Sequence, residues 1–186
     1  MENLDIFTHQ LTEKMKRQTF QAKAVTSLTP KLPPVHFFTF KDYPDKDLTT
    51  FVTYGLSATT HPKWHFGRPE LILSVESKNE AWGIALASLV NKFRGEKVFG
   101  NGSTYMLDMP ITAESKMSGF VIFVPSFLNN EESVFQMPNK TVFLTQAYPI
   151  YPNEALMIEK LGFESFWSNK DFTDPYDTKR KDVSGL

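Results

Sequence analysis

One amphipathic stretch, set among apolar runs too short to be helices, constrains this chain most. Trp82, Ala85, Leu86, Leu89, Val90 and Phe93 recur at three- and four-residue intervals, so they share one face of an α-helix. Ser77 and Glu80 have capping-box spacing, which predicts the start of this helix, and Gly95 is placed to end it. A helix with one apolar face needs a second layer to bury it. The candidates for that layer are residues 35–40, 51–56, 71–75, 120–124 and 141–145. Each is rich in β-branched or aromatic residues and bounded by turn-forming ones, which predicts strands. The run 120–124 is wholly apolar and stopped by Pro125, as suits a strand buried on both faces.

The ends of the chain read as helical. Leu4, Phe7, Leu11 and Met15 form an apolar stripe, which predicts a helix over residues 5–23, broken by Pro30, Pro33 and Pro34. Asn153 is placed to cap a last helix through Leu161, and Gly162 interrupts it before residues 163–167. Residues 41–49 and 57–67 read as loops. Strands and helices mix without a regular alternation. The expected fold is therefore α+β: a mixed or antiparallel β-sheet flanked by helices, in a single compact domain. The expected organisation is an N-terminal helix segment over 1–28, the domain proper over 35–180, and a short tail over 181–186.

Charge and motifs argue against most chemistry. The 20 basic and 21 acidic residues leave a net charge of -1, without the basic excess of a nucleic-acid binder. There is no cysteine, so thiolate catalysis, disulfides and cysteine zinc sites are excluded. Gly55-Leu-Ser57 lacks the second glycine of a nucleophile elbow, and Gly100-Asn-Gly102 has Tyr105 where a dinucleotide fingerprint needs glycine. His61 and His65 are four apart, but Pro62 and Gly67 argue against the helix that would aim both at a metal. Asp45, Asp47, Glu131 and Glu132 read as solvated surface. No catalytic residue, cofactor or metal is expected. No apolar run approaches the roughly 20 residues of a membrane span. The N-terminus lacks an apolar signal core, so a cytoplasmic location is expected.

Several segments together resemble the suppressor-of-fused domain family. Phe51-Val-Thr-Tyr-Gly-Leu-Ser57 resembles its strand ending in a Gly-Leu-Ser type turn, and Arg68-Pro-Glu-Leu-Ile-Leu-Ser74 its Pro-Glu-Leu strand. The helix after Ser77, the Gly100-Asn-Gly-Ser-Thr104 turn and the proline-closed strand from Gly119 are similar to the next elements of that family. Residues 143–154 resemble its strand running into a helix that starts with glutamate, and 174–180 its closing Asp-Pro…Arg, with extra spacing at 176–179. The likeness runs over about 35–180 and lies in the order of the elements.

The resemblance implies a protein-binding domain, and carries over no catalytic residue. Its short bacterial members are regarded as immunity proteins that neutralise toxins. The expected partner is therefore another protein, a polymorphic toxin domain, rather than nucleic acid or membrane. The alternatives are a cytoplasmic scaffold that sequesters a non-toxin protein such as a transcription regulator, and a hydrolase of unknown type. The oligomeric state is not legible. Trp64, His65, Arg68 and Glu70, with Phe66, are candidate partner-binding residues on one loop, because aromatics and arginine concentrate at binding hot spots. Packing of Trp64 and Phe66 onto the core is the competing reading, as is a role for Arg68 and Glu70 in fixing the loop. Tyr148 and Tyr151, flanking Ile150, are either an exposed ledge or a packed connector. Two acidic clusters, Asp42/Asp45/Asp47 and Asp171/Asp174/Asp177, are either solvated loops or a face for a basic partner.

Overall fold

The computed structural model describes residues 3–185. Met1 and Glu2 of the N-terminal segment and Leu186 of the tail lie outside the described residues. In chain order the elements are α1 (Asn3–Met15), β1 (Gln21–Val25), β2 (Val35–Lys41), β3 (Thr49–Tyr54) and β4 (Arg68–Val75). Then come α2 (Ala81–Phe93), β5 (Thr104–Met106), β6 (Gly119–Phe123), α3 (Asn130–Ser133) and β7 (Val134–Met137). The last elements are β8 (Lys140–Ile150), α4 (Pro152–Leu161) and α5 (Phe163–Trp167). The strands form one mixed sheet in the order β1-β2-β3-β4-β8-β6-β5, with β7 also paired to β8. Every pairing is antiparallel except β4 with β8. The α+β reading therefore holds.

Alternation along the strands builds the core on both faces, because successive side chains point to opposite sides. Phe37, Phe51, Leu71 and Leu73 face α2, where Trp82, Leu86, Leu89 and Val90 pack on them. Phe38, Val52 and Ile72 point the other way, onto Phe7, Leu11 and Met15 of α1. Further along, Val121, Tyr148 and Ile150 meet Ala155 and Ile158 of α4 and Phe166 of α5. Helix α2 comes close to the sheet at Gly83, where a Cβ would lie 2.5 Å from the Phe51 ring. That separation is too short for any larger residue without displacing the ring.

Three local expectations are corrected. The N-terminal helix stops at Met15, not Lys23, and Lys16 turns out of it with φ 51°. The chain then adds Gln21–Val25 to the free edge of β2, since pairing satisfies backbone groups that a lone segment leaves open. No capping box forms at Ser77 and Glu80. Instead Asn79 Oδ1 accepts from Ala81 N at 3.0 Å, and Ser77 Oγ from Asn79 N at 3.2 Å. Asn153 is not the cap of α4. Pro152 occupies its first turn, and Glu154 Oε2 accepts from Tyr151 N at 2.9 Å. Gly162, at φ 86°, does separate α4 from α5.

Candidate partner-binding surface

The loop after β3 is organised by a buried carboxylate. Glu70 sits on β4 with no exposed surface. Its oxygens accept from Thr53 Oγ1 at 2.8 Å and from the backbone N–H groups of Gly55, Leu56 and Ser57 at 2.8, 3.3 and 2.9 Å. With the three amides turned inward, the carbonyls of the turn face outward onto cations. Arg68 Nη1 donates to Ser57 O at 3.1 Å and Lys140 Nζ to the same oxygen at 2.7 Å. Arg94 Nη1 donates to Gly55 O at 3.2 Å from the α2 side. Glycine is required at 55, where φ is +152° and a Cβ would lie 3.0 Å from Val35 Cα.

This turn starts the loop 57–67, and Arg68 closes it. Within the loop Trp64 N donates to His61 O at 3.0 Å, and the Trp64 indole donates to Val98 O at 2.6 Å. Trp64 thus packs half-buried against the α2 side of the core. His65 is exposed, and Phe66 is 95% exposed. The two readings of these rings divide: Trp64 is an anchor, and Phe66 projects into solvent. Glu70 fixes the turn from inside, so its side chain offers no surface to a partner. Arg68 is half-buried and reaches the cleft beside the loop. Among the described residues no group of three histidines, cysteines or carboxylates is arranged to hold a metal, and His61 and His65 do not converge on Glu70.

Tyr148 and Tyr151 do not form an exposed ledge. Tyr148 is 1% exposed, donates to Val124 O at 2.9 Å and meets the Trp167 ring edge-on at 4.9 Å. Tyr151 is half-buried, and its hydroxyl donates to Arg180 O. The same arginine pairs with Glu154, which has no exposure, through both guanidinium ends, one of them at 2.8 Å. Arg180 lies over the Phe172 ring at 4.8 Å, and Val183 N donates to Glu154 at 3.0 Å. The polar closing segment is thereby bound into the domain rather than free. Arg94, Lys140 and the Glu154–Arg180 pair were not legible as a set, because most of their partners lie on segments distant in sequence.

The two acidic clusters approach each other at the far end of β4. The Glu76 carboxyl is raised above its usual range by partial burial and then by Asp174, Asp177 and Asp47. Burial also raises the Tyr176 hydroxyl, with Asp174 and Asp45 adding to the effect. Tyr176 O accepts from Glu76 N at 2.9 Å, which holds these segments together.

A mixed sheet covered on one face by α2 and on the other by α1, α4 and α5 is thus an α+β domain with its loop and tail pinned by buried carboxylates. The family model for suppressor of fused protein matches residues 31–181, and the chain belongs to that family. It is similar in structure to a suppressor-of-fused homolog from Neisseria gonorrhoeae FA 1090, at 19% identity and a TM-score of 0.75, covering 97% of this chain and 96% of that one. The structure of a Sufu–Fu complex matches at 10% identity with a TM-score of 0.71, over 97% of this chain and 92% of that one. Drosophila Suppressor of Fused matches at 10% identity and a TM-score of 0.72, and this chain spans 51% of its length. No curated protein matches the chain. Among the described residues no helix is long and apolar enough to cross a membrane.

Proposed function

We propose that this domain works by holding another protein, and that its partner is a bacterial toxin domain which it neutralises as an immunity protein. The observation that carries the proposal is Phe66: a ring 95% exposed on a loop pinned at its base by Glu70 and in its middle by Trp64. Burying such a ring in a partner is favourable, and a loop already held in place loses little freedom on binding. Family membership supports the same reading, and the Sufu–Fu complex shows one member of this fold crystallised with a second protein. The acidic face around Glu76 suits a basic partner and would speed its association. On this reading the domain acts by occupancy, without catalysis, in the cytoplasm of the producing cell.

The test is co-expression with any toxin domain found encoded beside its gene. The wild-type chain is expected to restore growth and to co-purify with the toxin domain. Phe66→Ser is expected to weaken the complex about tenfold or more, as loss of an aromatic hot spot does, while leaving the urea midpoint unchanged. A chain that neither binds nor protects against any neighbouring toxin would overturn the proposal.

A further inference from the structure

Beside the pinned loop lies a cleft of about 420 Å³, lined by Asn3, Tyr54, Ala58, Arg68, Asn139 and Lys140 among others. Its two cations come from adjacent parallel strands. Arg68 begins β4, Lys140 begins β8, and the pairing sets Arg68 opposite Val142. Both donate to the single carbonyl oxygen of Ser57, so their charged heads lie side by side. Like charges held this close are unfavourable unless an anion compensates them.

The anion available is only partly theirs. Glu70 lies beneath the turn, but its oxygens are taken by Thr53 and three backbone amides. Arg94 stands on the other side of the same carboxylate. Three cations thus share one buried carboxylate. Among the described residues neither Arg68 nor Lys140 forms an ion pair. Burial holds the Lys140 ammonium below its usual range; Glu70 opposes this, and Arg68, to a lesser degree, adds to it. Donors remain for a ligand. Lys140 uses two of its three, on Ser57 O and Oγ, and Arg68 uses one of its five. The unpartnered Nε and Nη2 of Arg68 are not sealed in the interior, in contrast to the Arg94 and Arg180 Nε atoms.

We propose that Arg68 and Lys140 form a binding site for a carboxylate group, received in the cleft they line with Tyr54 and Asn139. The planar guanidinium fork of arginine can take two oxygens of a carboxylate or of a phosphate. Carboxylate is favoured over phosphate on one ground. The backbone amides that would cradle a phosphate, those of Gly55, Leu56 and Ser57, are already spent on Glu70. The site is independent of the proposed toxin partner, since it can bind a carboxylate whether or not any toxin is neutralised.

The experiment is an amide-resolved NMR titration of the full chain with sodium acetate, against sodium chloride and sodium phosphate at equal ionic strength. Acetate is expected to give saturable shifts centred on Ala58, Arg68 and Lys140 that chloride does not. Lys140→Met is expected to weaken acetate about tenfold, as loss of a charge-assisted bond does. Because Lys140 also braces the turn, a second variant guards the result. Ala58→Glu places a carboxylate in the cleft, and is expected to keep the folded spectrum while abolishing the acetate shifts. A peptide with a free C-terminus and an amidated peptide with one aspartate then distinguish a chain-end from a side-chain carboxylate. Absent or chloride-like shifts, unchanged acetate binding in Ala58→Glu, or phosphate binding tenfold tighter than acetate would each overturn the proposal.

Discussion

Glu70→Ala is expected to destabilise the fold by about 4 kcal/mol, and to do so from a position with no exposed surface. The substitution strands three backbone N–H groups and the Thr53 hydroxyl, each left in the interior without its acceptor. An unsatisfied buried donor costs about 1–3 kcal/mol, and a cavity adds to that. The carbonyl side of the turn fails as well, because Arg68, Lys140 and Arg94 then converge with no carboxylate at their centre. Glu70→Gln is expected to be milder but still destabilising, since its amide NH₂ would face donors. Urea unfolding measures both. A shift below about 1 kcal/mol for Glu70→Ala would show that the turn does not depend on this carboxylate.

Arg180→Met is expected to cost about 3–5 kcal/mol, the range found when one partner of a buried pair is removed. Arg180 is 7% exposed at its side chain and Glu154 not at all, so the carboxylate left behind has no water to turn to. Tyr151 N and Val183 N still donate to Glu154, which moderates the loss without neutralising the charge. The effect should be regional as well as global. Residues 170–185 are held by Arg180, by Val183 and by Phe172 against Phe166, so their amides should exchange faster in the variant. Adding Glu154→Gln should recover part of the stability, because the double variant buries no unpaired charge. Equal stability of Arg180→Met and wild type would show the pair to be solvated.

Much of the architecture was legible because periodicity survives in the single sequence. The 82–93 stripe gives α2 its buried face, and the apolar runs at 35–40, 51–56 and 71–75 overlap β2, β3 and β4. β1 was missed because Gln21-Ala-Lys-Ala-Val25 is nearly all exposed and is built on alanine and lysine, which give little strand signal. It is a strand because β2 offers it an edge. β7 was missed because it is only four residues long, and its pairing with β8 defines it. The loop was legible as a loop, but the order inside it was not. Glu70 lies in an apolar run, and what makes it central is four donors on another strand and its turn. Nothing local marks Trp64 as an anchor and Phe66 as free. That division comes from Val98 O standing within reach of the indole.

Hydrogen exchange of the chain alone and mixed with each protein domain encoded beside its gene tests most directly whether this domain holds a protein through the loop 57–67. The predicted result is a stable complex in which exchange at residues 57–67 slows, with Phe66→Ser removing the slowing. A folded chain that forms no complex, or a complex that leaves those amides unchanged, would contradict it.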